Sequence, residues 1–141
     1  KIERFEDVEA WQRARELTRM VYRLTQKPSF AKDQELRNQI RAAAGSAMHN
    51  VAEGFDSETN VEFIRFLRYA KRSCSEVQSE LHLALAGLLS PAEFKAAYEQ
   101  ARITRATMRG FINYLRKYET ARAISMARKV KLPAPPPPQD S

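Results

Sequence analysis

The chain has 141 residues, enough for one domain with a real core and too few for two. Its 24 Lys and Arg against 17 Asp and Glu leave a formal charge of +7, which favours anionic partners, and residues 120–141 hold +3 of it. No run of about 18 apolar residues can span a bilayer and no signal-peptide core follows the basic start, so a cytoplasmic protein with no membrane partner is expected.

Glycine and proline punctuate the chain sparsely. Five of the seven prolines lie between 133 and 138, which leaves Pro28 and Pro91 in the body to stop or start helices. Strand-like alternation is absent and 3.6-residue periods fill the space, so the predicted class is all-α. The first helix is predicted from Asp7 to Lys27, with Ala10, Ala14, Leu17, Val21 and Leu24 inward and Trp11 and Tyr22 widening that face. The second covers about 32 to 53, with Leu36, Ile40, Ala43, Ala47 and Val51 inward. For the third, Thr59 and Glu62 have the spacing of a reciprocal cap. Its interior line is Phe63, Leu67, Ala70, Cys74, Val77, Leu81, Ala84 and Leu88, the 4-3 rhythm of helices packed at about 20°. Ser90, Pro91 and Glu93 start a fourth helix with the line Phe94, Ala97, Ala101, Thr104, Met108, Phe111, Leu115 and Tyr118. Four amphipathic helices on short connections predict an antiparallel up-down four-helix bundle over residues 1–119. Residues 120–141 then form a basic, proline-rich tail. Ala121, Ile124 and Met126 extend the last helix by a turn or two, and the proline run is expected to be extended and largely disordered. It serves as a linker or as a segment for a proline-recognising groove.

The residues give no catalytic pattern. His49 and His82 fall on different helices, and a single cysteine allows no CxxC spacing and no internal disulfide. Cys74 sits on the apolar seam, where packing explains it. Gly45 and Gly54 lack the spacing, the Lys-Ser/Thr and the preceding strand of a phosphate loop. Glu76 and Glu80 share a face near Arg72 and read as solvated, as do Arg15, Arg19, Arg23, Arg65 and Arg68 among their acids. No enzyme, no metal and no cofactor are expected.

Charge on the fourth helix is more informative. Lys95, Tyr98, Arg102, Arg105, Arg109, Asn113 and Arg116 fall within about 80° of arc with no acid inside it. Such a cationic ribbon with an interleaved tyrosine suits a nucleic-acid backbone, arginine meeting phosphate and tyrosine offering a stacking face. The alternative is that these arginines pair with acids of an adjacent helix or subunit.

In "AAAGSAMHNVAEGF" (42–55), Ser46, Asn50 and Glu53 share one side beside small alanines, so a neighbouring helix can come close. Asn50 and Glu53 are predicted to bond helix termini or arginines such as Arg41, while Gly54 supplies the positive φ that ends the helix. A ligand-reading polar pocket is the alternative. Met20, Phe30, Phe55, Phe66, Ile103 and Tyr114 lie outside the clean seams, more apolar surface than one small bundle buries comfortably, so a homo-oligomer is expected.

The segments "FEDVEAWQRARELT" (5–18), "QIRAAAGSAMHNVAEGF" (39–55) and "EFIRFLRYAKRSCSEVQSEL" (62–81) resemble the bacterial four-helix bundle family first noticed in proteins encoded by intervening sequences of large-subunit ribosomal RNA genes. Trp11, Gln39, Ile40, Ser46, Asn50 and Glu53 are among the positions in register over roughly residues 3 to 118. Ala42, Met48 and Arg72 depart from the family's arginine, proline and glycine. The resemblance implies a ring-like homopentamer and kinship with the accessory protein of diversity-generating retroelements, a basic pentamer that binds reverse transcriptase and nucleic acid. It implies no catalytic residue. Two functions stay open: a scaffold for structured RNA or an RNA–DNA hybrid, partnering a reverse transcriptase, and a protein-interaction adaptor with no nucleic-acid role of its own.

Overall fold

Lys27 is extended (φ −62°, ψ 142°), the conformation favoured before proline, so the first helix stops short of it. In the computed structural model, which describes residues 2–130, helix α1 spans Glu9–Thr25, bounded by 3₁₀ turns at Phe5–Asp7 and Pro28–Lys32. Helices α2 (Gln34–Asp56), α3 (Asn60–Ala84) and α4 (Pro91–Val130) follow, with no strand among the described residues. The proline-rich stretch lies outside them.

Side chains at the helix starts satisfy the amides that a helix leaves unpaired. Asp33 accepts from Leu36 N at 2.9 Å to open α2. Thr59 accepts from Glu62 N at 3.2 Å, but the Glu62 carboxylate turns to Arg65 at 2.8 Å, so only half of the expected box forms. At α4 the box is complete: Glu93 N donates to Ser90 Oγ at 3.1 Å and Ser90 N to Glu93 Oε1 at 2.9 Å. Lys27 Nζ reaches the same oxygen at 2.6 Å and ties the end of α1 to the start of α4. In the turn between α3 and α4, Gly87 takes φ 97°, a left-handed conformation that favours glycine.

Each helix packs on its two neighbours in the cyclic order α1, α2, α3, α4. All four neighbouring pairs run antiparallel. Thr18 reaches Ala44 O and Arg41 reaches Thr25 between α1 and α2, Ser73 meets Ser46 between α2 and α3, Cys74 meets Met108 between α3 and α4, and Thr104 reaches Arg13 O between α4 and α1. The seam of α3 is buried from Phe63 to Ala84. On α4 the line drifts, Ile112 replacing Phe111 at the centre and Tyr118 emerging at 51% exposure, because 3.6 residues per turn outrun a strict heptad.

Gly54 has no positive φ and does not end α2, which continues for two more residues. Its role is steric: a Cβ there would lie 2.7 Å from Phe63 Cδ1 and 3.0 Å from Phe66 Cβ. Phe30 is fully buried within the chain and so is not spare surface for assembly. Glu80, expected to be solvated, is only 6% exposed, and its Oε1 has no hydrogen-bond partner. Burial first, and then Glu76, raise its carboxyl to about 7. Helix α4 runs well beyond the expected turn or two past Tyr118, to Val130, and every side chain from Thr120 to Val130 is exposed.

Two glycines test this packing in opposite directions. Gly54→Ala is expected to destabilise by about 1–3 kcal/mol through overpacking, even though alanine favours the helix. Gly110→Ala meets nothing within 4 Å and is expected to stabilise by about 0.5–1 kcal/mol, both read by urea denaturation. A second test concerns Glu93, whose carboxyl is held below its usual value by the Lys27 hydrogen bond first and then by the Ser90 amide. For an acid lowered in the folded state, the stabilisation is present above its ordinary value and lost as pH falls through the lowered one. The melting-temperature deficit of Glu93→Gln is therefore expected to be largest near pH 7 and to shrink as pH falls below the ordinary glutamate range.

Candidate nucleic-acid interface

The cationic ridge of α4 lies along its edge with α3. From Arg102 to Arg116 it runs about 21 Å at 1.5 Å per residue. Its members differ in environment. Lys95, Arg109, Asn113 and Arg116 are exposed. Arg105 is half-buried, and its Nε is enclosed without a hydrogen-bond partner. Arg102 is exposed but not free of acid: its Nε donates to Glu99 Oε2 at 2.9 Å, one turn away on the same helix. Glu99 stands outside the arc of the ridge yet reaches into it, which corrects the expectation of an acid-free stripe at this one residue.

Helix α3 supplies charges that do not stand out in the sequence. Lys71 lies half-buried between the helices, and its ammonium is held below the usual lysine value. Burial is the main cause, followed by the like charges of Arg105, Arg109, Arg68 and Arg116. These five cations from two helices thus form one cluster, and none of them takes part in an ion pair among the described residues. Arg68, grouped with the solvated faces in the sequence, belongs here. The signal for Lys71 was available, since Lys71, Ser75, Gln78 and His82 repeat the 4-3-4 spacing of the seam, displaced by one residue. Directly beneath, the Cys74 thiol is pushed up to about 12 by burial, which outweighs the opposing pull of Arg105. Its sulfur lies 3.7 Å from Met108 Sδ, so it is a packing residue.

Tyr98 lies at the Lys95 end of the shallow groove that the packed helices α3 and α4 leave along their shared edge. Its ring stacks on Phe94 at 5.2 Å between centroids, and the His82 ring of α3 meets Phe94 at 4.9 Å and Tyr98 at 5.5 Å.

The polar set of α2 lies elsewhere and is largely satisfied. Asn50 Nδ2 donates to Ser46 O at 2.9 Å and Ser46 Oγ at 3.0 Å, and Ser73 Oγ of α3 donates to Ser46 Oγ at 2.9 Å. Arg41 turns to α1 instead, bonding Thr25 Oγ1 at 2.7 Å with its guanidinium 4.5 Å above the Tyr22 ring. Glu53 is exposed and makes no bond to Arg41 or to a helix end, because Arg41 is already committed three turns away. Among the described residues no group of three His, Cys, Asp or Glu side chains is placed to hold a metal, and no helix is long and apolar enough to cross a membrane.

The family model described as 23S rRNA-intervening sequence protein matches residues 6–110, which takes in α1 to α3 and the first half of α4. The chain belongs to this family. The matched span contains Arg68, Lys71, Arg105 and Arg109 and excludes Arg116 and the exposed end of α4. No curated protein matches the chain.

Lys71 gives the cluster a testable cost. A base whose folded value is lowered destabilises the fold while protonated, and that cost disappears as pH rises through the alkaline range. Lys71→Met is therefore expected to raise the melting temperature by a few degrees at low salt, with the gain shrinking as salt or pH is raised. A lower melting temperature at low salt would mean that Lys71 is held by a partner rather than repelled.

Proposed function

We propose that this intervening-sequence family protein is a non-enzymatic scaffold that holds structured RNA by its phosphates along the groove between α3 and α4. One observation carries the reading: Lys71 sits among Arg68, Arg105, Arg109 and Arg116, and no acid among the described residues is paired to any of them. Packing like charges together costs the fold stability and returns nothing to it unless a polyanion fills the groove. The family's description supports an RNA-related role. Its resemblance to retroelement accessory proteins supports a reverse transcriptase as protein partner, with an RNA–DNA hybrid as an equivalent ligand for a backbone-reading surface.

The scaffold works as a homo-oligomer in this reading, a pentamer by the resemblance. Tyr114 (62% exposed), Tyr118, Ile124, Met126 and Val130 leave the far half of α4 with apolar side chains that nothing among the described residues covers. Several grooves in one assembly would convert weak phosphate contacts into avidity.

Arg105→Gln with Arg109→Gln tests the reading by gel shift on a structured RNA across a salt series. The expected outcome is at least tenfold weaker binding and a salt slope lower by about 1.5 to 2, the loss of two phosphate contacts. Unchanged affinity and slope in a folded variant would remove the scaffold reading. Capture of an acidic protein at the same groove, with RNA ignored at physiological salt, would establish the adaptor instead.

A further inference from the structure

The three-ring cluster at the head of the groove does more than fill the corner between α3 and α4. A bundle closes such a corner with aliphatic side chains, and Leu81, Ala84, Ala97 and Ala101 already do so here, all buried. The rings lie at the rim of that layer: His82 is exposed, and Phe94 and Tyr98 pack against the core yet stay half-buried, stacked with 29° between their planes. The imidazole stands against both at 4.9 and 5.5 Å. Lys95 flanks the cluster along α4 a turn before Tyr98, Arg102 a turn after it is paired with Glu99, and the five-charge cluster begins one turn further on at Arg105.

Phosphate-binding alone needs no aromatic surface. A duplex keeps its base faces stacked inside, so flat rings beside a phosphate track are useful only to a nucleotide whose base is unpaired. We infer that His82, Phe94 and Tyr98 form a seat for an unpaired base of the strand whose phosphates lie along Arg105 and Arg109. The inference rests on the scaffold reading and narrows it: the ligand is an RNA with a single-stranded end or loop entering the groove at its aromatic head. Stacking tolerates any base, so the seat selects unpaired over paired nucleotides rather than one sequence over another.

Three fluorescein-labelled RNA probes separate the two ideas by anisotropy: an adenosine 12-mer, a 12-mer of abasic nucleotides with the same phosphates, and a blunt 12-base-pair duplex. The wild-type protein is expected to bind the adenosine 12-mer about tenfold more tightly than the abasic one. In His82→Ala and Tyr98→Leu, the latter keeping apolar packing, that preference is expected to fall to near unity, while the salt slope stays as in wild type. Arg105→Gln with Arg109→Gln is expected to weaken all three probes and to leave the preference intact. Equal wild-type binding of the adenosine and abasic strands, or a preference that survives in both ring variants, would overturn the base seat while leaving phosphate binding in place. No binding of any probe would overturn the scaffold reading and the seat with it.

Discussion

Helices α2 and α3 can lie as close as they do because Gly54 has no side chain. Phe63 and Phe66 occupy the space a Cβ would take, and Phe63 then meets Phe111 of α4 edge-on at 5.1 Å. One missing carbon therefore sets the depth of α3 against α2 and, through the phenyl ring, the position of α4 against α3. The register that results places Cys74 on Met108 and Asn60 on Glu119. It also places Lys71 beside Arg105. The charged groove is thus a consequence of apolar fit: burying the seams outweighs the repulsion at their rim.

That hierarchy explains why the polar exceptions gather where they do. The α2–α3 interface accommodates Ser46, Asn50 and Ser73 because they bond one another, whereas Glu80, a few turns along, is enclosed with one oxygen unpartnered and a carboxyl raised to about 7. An ionised carboxylate in that position is costly, and the protonated form is favoured by the same burial. The α3–α4 rim tolerates its charges on different terms, since the guanidinium groups of Arg109 and Arg116 remain in water while the Lys71 stem lies against the bundle.

Much of the fold could be read from spacing alone. The α3 line from Phe63 to Ala84 keeps a 4-3 rhythm without a break, and the Ser90, Pro91 and Glu93 trio has only one common physical meaning at the start of a helix. What failed to read out depended on a partner helix. Gly54 followed by Phe55 looks like a helix end when α2 is considered alone, and the real reason for glycine is the aromatic ring of Phe63. Glu80 looks solvated until the packed bundle is known to enclose it. The site divides the same way. The arginines of α4 fall on one arc of a single helix and so were visible, whereas Lys71 and Arg68 join them only once α3 is known to run antiparallel beside that arc. Glu99 was missed for a simpler reason: an arc drawn on a wheel ignores the reach of a side chain one turn away.

Helix α4 is about 60 Å long, and its last eleven residues are all exposed, with no other described element packed on them. A peptide of that length scarcely holds a helix by itself, because starting one is the costly event and adding residues to an existing one is cheap. The bundle supplies the start. Residues 120–130 are therefore a borrowed rod, whose winding weakens with distance from the bundle and whose base stays wound for as long as the bundle stays folded. It can be handed to a neighbouring molecule without loosening the four helices behind it.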